Sequence, residues 1–146
     1  MKLLLDTNVL LLFLIGLLRP DRVGGRRLDR FILDDFYRVA DWADEVSAHV
    51  SLPNILTEAS NLLGDAKQEL VDGGRTALAK YIATLDEIYV PSRRIAGGSE
   101  FIDFGLTDAA ILYIANNRIR VVSVDHHLCN RLSLKGVDVR NPFHFR

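Results

Sequence analysis

The chain has 146 residues, a size that fits one domain with an adequate hydrophobic core. Hydrophobic residues make up 49% of the sequence and charged residues 25%, which is ordinary for a globular protein and excludes a disordered chain. The formal net charge of −1 neither indicates a nucleic-acid partner nor excludes one, since a local basic patch can lie beside an acidic site. The single cysteine, Cys129, excludes an internal disulfide and fits a reducing compartment.

The first residues predict a buried strand that ends at an acid. Leu3, Leu4 and Leu5 form a short apolar run, and Asp6 stands where this strand would leave the core. The apolar stretch at 9–18 that follows is too short to span a membrane, which takes roughly 20 apolar residues. The N-terminus also lacks the basic start and the cleavage site of a signal peptide, so we expect a buried helix and a cytoplasmic protein.

Strand-like and helix-like segments then alternate along the chain. After a polar connection at 19–27, we expect an amphipathic helix at 28–45, a β-rich segment at 46–52, and a helix from Pro53. Next come a helix at 67–84 weakened at Gly73-Gly74, a strand at 88–90, a loop or short helix at 92–101, and a helix from a Thr107 cap to 117. A strand at 120–124, a helix at 128–134 and a strand at 137–140 complete the chain. The alternation predicts one α/β domain over 1–146, with helices on both faces of a parallel sheet.

Four acidic residues stand at comparable places in these elements. Asp6 and Asp125 each end a predicted strand, and Asp108 opens an apolar helix. Glu58 lies within the helix that begins at Pro53. Ligands of open parallel sheets bind outside the carboxyl ends of the strands, near the point where the strand order reverses. Because hard oxygen ligands suit Mg²⁺ and Mn²⁺, the four acids predict a divalent-cation site at this edge.

The same acids belong to four motifs in a fixed order. These are Asp6-Thr7-Asn8 after an apolar strand, Pro53–Ala59 with a central acid, Leu106–Leu112 with Asp108 before small residues, and Val121–Asp125. Together they resemble the pattern of PIN-domain nucleases, and the match runs nearly end to end. The sequence departs from that pattern at His127, where the family often has a further Asp.

The resemblance implies a three-layer α/β/α fold with a five-stranded parallel sheet and metal-dependent cleavage of RNA. It implies catalytic and metal-binding roles for Asp6, Glu58, Asp108 and Asp125, with Mg²⁺ or Mn²⁺ as cofactor. By the same resemblance, the chain is a candidate toxin of a toxin–antitoxin pair, inhibited by a small antitoxin protein. Homodimers are common in that family, and the apolar helices at 9–18 and 28–45 offer surface for one.

Each acid also has a simpler structural interpretation. Asp6 is a good N-cap for the helix that follows it, and the helix dipole alone favours Asp108 in a first turn. Glu58 is a solvated helix residue in this interpretation, although its apolar neighbours argue against full exposure. Asp125 has the weakest alternative, because it directly follows a strand core. Asp103 is either a fifth ligand or an ordinary loop carboxylate, and we favour the second.

Several polar residues near the acids are candidates for supporting roles. Asn8 either hydrogen-bonds the loop or holds Asp6 or a metal-bound water. Ser123 supports the site through its hydroxyl, since nothing in the sequence indicates the paired base that a serine nucleophile needs. His126 and His127 are adjacent and point apart, so a surface or supporting role is favoured over zinc ligation. We expect Cys129 to be a small buried hydrophobe.

Basic residues are concentrated in the connection after the first helix. Arg26 and Arg27 are candidates for contact with RNA phosphates, and solvated surface is the alternative. The other members of the basic clusters are Arg19, Arg22, Arg93, Arg94, Arg118 and Arg120.

Two other functions compete with metal-dependent RNA cleavage. One is a PIN-like module that binds RNA or protein and has lost turnover. The other is a phosphatase with an aspartyl nucleophile at Asp6. The phosphatase needs a second Asp two residues later, and Asn8 stands there instead.

Overall fold

The computed structural model describes residues 1–65 and 67–146. In this part of the chain, the strands are β1 (Lys2–Leu5), β2 (Ala48–Ser51), β3 (Asp86–Glu87), β4 (Ile119–Val122) and β5 (Asp138–Arg140). The α-helices are α1 (Thr7–Leu18), α2 (Leu33–Asp44), α3 (Pro53–Leu63), α4 (Gly74–Thr84), α5 (Ser92–Ala96), α6 (Ser99–Ile114) and α7 (His126–Leu134). Two short 3₁₀ helices cover Pro20–Arg22 and Pro142–Phe145.

The strands of the described residues form one five-stranded sheet in the order β3-β2-β1-β4-β5. Every neighbouring pair is parallel, and Leu5 of β1 lies opposite Val122 of β4. The chain builds outwards from β1 to β3 and then returns to the other side of β1 with β4, so the strand order reverses between β1 and β4. The predicted α/β fold with a five-stranded parallel sheet is confirmed.

The apolar N-terminus forms the centre of this sheet. Leu3, Leu4 and Leu5 are at most 1% exposed, because β1 is covered by helices on both faces and flanked by a strand on each side. Helix α1 packs against α2, α3 and α4 on one face of the sheet, and α6 packs against α5 and α7 on the other face. Right-handed crossovers place these two groups on opposite faces of the sheet, which gives three layers.

The predicted helix at 28–45 begins later than expected, at Leu33. Leu28 and Phe31 are buried, but they lie in turns in which the Leu28 N–H donates to the Gly25 carbonyl and the Phe31 N–H to the Leu28 carbonyl. The Asp35 carboxylate accepts a 2.9 Å hydrogen bond from the Ile32 N–H, which fixes the start of α2. The spacing of the apolar residues predicted a helix from residue 28, because buried residues in turns gave the same spacing as a helix.

Several other boundaries also differ from the prediction; among them, α6 ends at Ile114 rather than 117, β4 ends at Val122 rather than 124, and α7 begins at His126 rather than 128. Strand β3 is Asp86–Glu87 rather than 88–90, because Asp86 and Glu87 lie opposite the last residues of the short strand β2. Helix α4 begins only at Gly74, and the described residues before it form turns. Helix α6 begins at Ser99 and is interrupted at Gly105, whose φ of 80° and ψ of 178° leave the helical region.

Within the described residues, no helix combines the length and the apolar character needed to cross a membrane.

We predict that Gly16→Ala destabilises the protein, although alanine favours helices by about 1 kcal/mol over glycine. A Cβ at Gly16 would lie 2.1 Å from Cδ1 of Phe36, so α1 and α2 would have to separate. We expect the free energy of unfolding in urea to fall by about 1–2 kcal/mol. Leu17→Ala is the matched control, because Leu17 is 60% exposed on the next position of the same helix. A Gly16→Ala protein more stable than the wild type would show that the two helices do not approach this closely.

Candidate active site

A cleft of about 490 Å³ opens at the carboxyl edge of the sheet, and all four predicted acids line it. Asp6 comes between β1 and α1, Glu58 from α3, Asp108 from α6, and Asp125 immediately before α7. The fold therefore brings together residues that are up to 119 positions apart, from 6 to 125, in the sequence. Asp6 and Asp125 flank the point where the strand order reverses.

Asp6 is held by two hydrogen bonds to its carboxylate. Oδ1 accepts one from the Thr7 N–H at 2.8 Å, and Oδ2 accepts one from the Ser123 hydroxyl at 2.8 Å. Burial raises the pKa of Asp6, the two hydrogen bonds oppose this change, and the charges of Asp125 and Glu58 raise the pKa further. Asp6 is thus the N-cap of α1 and also lines the cleft, so its N-cap role is confirmed, and its role in metal binding stays a prediction.

Ser123 connects two of the acids from a completely buried position. Its hydroxyl donates to Asp6 and accepts a 3.1 Å hydrogen bond from the Asp125 N–H. Its own N–H donates to the Arg140 carbonyl of β5. The ends of β1, β4 and β5 are therefore joined at one residue, whose hydroxyl fixes the relative positions of Asp6 and Asp125.

Asp125 and Glu58 are also oriented by local contacts. Asp125 is the N-cap of α7, and its Oδ1 accepts a 3.0 Å hydrogen bond from the Leu128 N–H. The two carboxylate oxygens of Glu58 accept hydrogen bonds from the hydroxyls of Thr7 and Thr107. Thr107 thus contacts Glu58 from within α6, and its predicted role as a helix cap is wrong.

The pKa of Asp108 is also raised by its surroundings. Burial raises its pKa to about 7, and the nearby charges of Asp6, Asp125 and Glu58 contribute to the increase. The break at Gly105 places Asp108 in the first turn of the second segment of α6, close to its predicted position at a helix start. A positive charge bound in the cleft would therefore reduce the repulsion among these carboxylates.

The donor set of the cleft fits a hard divalent cation that keeps most of its water. The four acids and the Asn8 side chain offer oxygen ligands. In residues 1–65 and 67–146, no three His, Cys, Asp or Glu side chains converge closely enough to enclose a metal ion together. Mg²⁺ is commonly bound through one or two carboxylates and several waters, so it does not require three convergent side chains. The same finding gives no support to zinc at His126 and His127.

The cleft also has a basic side that the sequence analysis missed. Arg30 lines it, in the loop between α1 and α2. Its guanidinium lies 5.3 Å from the centroid of the Phe143 ring, and its carbonyl accepts a 2.8 Å hydrogen bond from Arg146. Arg146 in turn pairs at 2.6 Å with the fully buried Asp35. Arg30 lies in the segment that the sequence analysis assigned to a helix at 28–45, and contacts with the distant Phe143 and Arg146 determine its position.

Arg26 and Arg27, the predicted RNA contacts, line a different cleft of about 500 Å³ beside the C-terminal end of α3. In the described part of the chain, the lining of this cleft has no residue in common with that of the acidic cleft. Asp103 is exposed on the first segment of α6 and is not among the residues that line the acidic cleft, which agrees with its interpretation as an ordinary carboxylate.

Two arginines of the basic clusters are engaged in ion pairs. Arg19 pairs with Asp21 at 2.8 Å, and Arg120 pairs with Glu45 at 2.7 Å and with Asp138 at 3.0 Å. The side chain of Arg120 is only 11% exposed, so it stabilises the end of the sheet rather than offering a phosphate contact.

The histidines after Asp125 lie at the rim of the cleft. His126 and His127 both line it, and the His127 ring stacks on Phe104 with centroids 4.2 Å apart. Cys129 is buried as expected, and burial raises the pKa of its thiol to about 11, so it is not a reactive thiolate.

Comparison of the chain with protein families, with curated proteins and with solved structures found no match. Its functional interpretation therefore rests on the geometry of the cleft and on the sequence motifs.

The raised pKa of Asp108 predicts how the stability of the metal-free protein depends on pH. The folded state holds a proton up to about pH 7, whereas an ordinary Asp loses it near 3.8. The free energy of unfolding should therefore fall as the pH rises from about 4 to about 7, and then level off. Asp108→Asn should flatten this fall and be more stable than the wild type above pH 7, as measured by urea unfolding in EDTA. Asp103→Asn is the control and should keep the wild-type slope; equal slopes in all three proteins would contradict the shift.

Proposed function

We propose that the chain is a divalent-metal-dependent endoribonuclease that hydrolyses RNA phosphodiester bonds. One observation carries the proposal: four acids from four separate elements line a single cleft at the carboxyl edge of the sheet. The resemblance of the four motifs to PIN-domain nucleases supports the same function. Without a cation, the negative cleft would repel a phosphodiester, so the substrate itself argues for a metal.

Each residue of the cleft has a role in this proposal. Asp6 and Asp125 would hold Mg²⁺ or Mn²⁺, because Ser123 fixes them relative to each other. Glu58 and Asp108 would complete the negative lining that holds the ion. Such an ion, when bound, would supply a Lewis acid at the scissile phosphate and lower the pKa of a water nucleophile. Arg30, on the basic side of the cleft, attracts the phosphate backbone.

A second candidate function is a binding module without turnover. It is favoured by the wide spacing of the carboxylates, since no three of them converge in the described residues. In this case the cleft would bind RNA or protein through Arg30 and the rim without cleaving anything. Metal-dependent cleavage separates the two functions, and the nuclease remains the better explanation for acids contributed by four elements.

The antitoxin and the homodimer implied by the resemblance stay predictions. Most of helix α1 is buried, and its exposed apolar side chains, Leu17 and Leu18, lie at its C-terminal end. Helix α2 exposes Leu33 and Tyr37. Little of α1 is therefore available for a protein partner.

We predict that Mg²⁺ or Mn²⁺ raises the melting temperature of the wild-type protein, because a ligand that binds only the folded state stabilises it. Asp108→Asn and Asp125→Asn should lose most of this increase, since each removes a carboxylate charge from the cleft. Asp103→Asn should keep it, because its side chain is exposed elsewhere on α6. Thermal unfolding with and without metal provides the measurement. The same increase in all four proteins would remove the acids from the metal site.

We further predict that substitutions of the four acids and a substitution of Arg30 change different kinetic constants of RNA cleavage. Asp6→Asn, Glu58→Gln, Asp108→Asn or Asp125→Asn should each lower the single-turnover rate at saturating RNA by about 100-fold or more, since they act on the reacting group. Arg30→Gln should mainly raise KM and reduce the salt-dependence slope of RNA binding by about 1, as expected for one phosphate contact.

The double variant Arg26→Gln/Arg27→Gln is the matched control for Arg30, because these arginines lie in the other cleft. It should leave the cleavage rate at saturating RNA unchanged. Full activity of Asp108→Asn would rule out the four-acid mechanism, and no metal-dependent cleavage by the wild type would favour the binding module.

A further inference from the structure

A further cleft, called here the Tyr89 cleft, adjoins the acidic cleft and has no role in the proposed chemistry. Its volume is about 670 Å³, and the segment after β3 forms one wall while the first turns of α3 form the other. Glu58 lines both clefts, and Thr107, which lines this one, donates a hydrogen bond to the Glu58 carboxylate. The two spaces are therefore neighbours across a single carboxylate, and a ligand in one extends naturally into the other.

Tyr89 is the most exposed aromatic side chain in this lining, with 74% of its surface accessible. It stands on the short segment between β3 and α5, followed by the rigid ring of Pro91. The Glu87 carboxylate lies close enough to accept a hydrogen bond from the phenol and raises its pKa. An aromatic face held at the mouth of a cleft and left open to solvent is suited to stacking.

The rest of the lining combines apolar surface with polar side chains. Pro53, Val90 and Pro91 supply apolar surface, and Asn54, Thr57 and Ser92 supply hydrogen-bonding groups. A planar ligand with an aromatic face and a polar edge matches this combination, and a nucleobase is such a ligand. A purely apolar side chain of a protein partner would leave the polar groups without partners.

We propose that the Tyr89 cleft binds the base of a nucleotide adjacent to the phosphodiester held in the acidic cleft. This inference rests on the proposed function, because the shared Glu58 places the base next to the site of cleavage. Tyr89 stacks on the base, and the polar groups of α3 contact its edge. The bound base must leave the stack of its neighbours, so the substrate is unpaired at this position.

The experiment measures binding of adenosine, an uncharged nucleoside, to the protein in EDTA by NMR titration. Without a phosphate or a metal, this binding does not depend on the acidic cleft. Tyr89→Ala should weaken it by about tenfold, and Tyr89→Phe should retain it to within about twofold, since stacking uses the ring rather than the hydroxyl. Tyr113→Ala, which removes another exposed tyrosine, from α6, should leave binding unchanged. Equal affinity of Tyr89→Ala and the wild type, or no adenosine binding by the wild type, would overturn the proposal.

Cleavage assays with a short RNA distinguish this inference from the proposed function. A loss of about tenfold in kcat/KM for Tyr89→Ala, with rescue by Tyr89→Phe, supports the base subsite. Unchanged kcat/KM in Tyr89→Ala, in a protein that does cleave RNA, overturns the subsite and leaves the nuclease intact. Adenosine binding that depends on Tyr89, in a protein without cleavage, leaves the subsite and removes the nuclease.

Discussion

The site depends on how a carboxylate is held at the end of a buried strand. Burial raises the pKa of Asp6, and only two hydrogen bonds, from Ser123 and from the Thr7 N–H, counteract it. Ser123 can donate its bond only when β4 lies beside β1 in the observed register. The same hydroxyl accepts from the Asp125 N–H, so the compensation of one charge also fixes the position of the next. The pairing of β1 with β4 and the stabilisation of the Asp6 carboxylate are therefore a single constraint, because the hydrogen bond from Ser123 requires that pairing.

Some charged side chains near the cleft form ion pairs within the fold, and others have no partner of opposite charge in the described part of the chain. Arg120 meets two carboxylates, and Arg146 meets the buried Asp35, so these cations are used for stability. Among the described residues Asp108 has no comparable partner, and burial, with a contribution from the charges of Asp6, Asp125 and Glu58, raises its pKa to about 7. Arg30 faces the same cleft on a loop that is held in place through Phe143. The cleft therefore concentrates acidic side chains beside the exposed Arg30, and this combination is the basis of the proposed binding of a cation together with a phosphate.

The sequence predicted the elements that local patterns encode, but it did not predict the features that depend on contacts between distant residues. Strand β1 with Asp6, and helix α3 with Glu58, follow from apolar runs and a helix-starting proline, and both lie where they were expected. The start of α2 was wrong because Leu28 and Phe31 are buried in turns, which periodicity alone cannot separate from helix. Arg30 was missed for a related reason: its position depends on residues more than a hundred positions away, and no short-range pattern records that contact.

The long separation between β1 and β4 also affects when the site can form. Asp6 and its hydrogen-bond donor Ser123 are 117 residues apart, so the chain that leaves the ribosome first lacks this contact for most of its synthesis. Parallel pairing of such distant segments is entropically costly and forms late. Until β4 docks, β1 can pair only with β2, and Asp6 lacks its hydrogen bond from Ser123. Assembly of the acidic cleft therefore coincides with completion of the fold, and a partly made chain lacks this cleft.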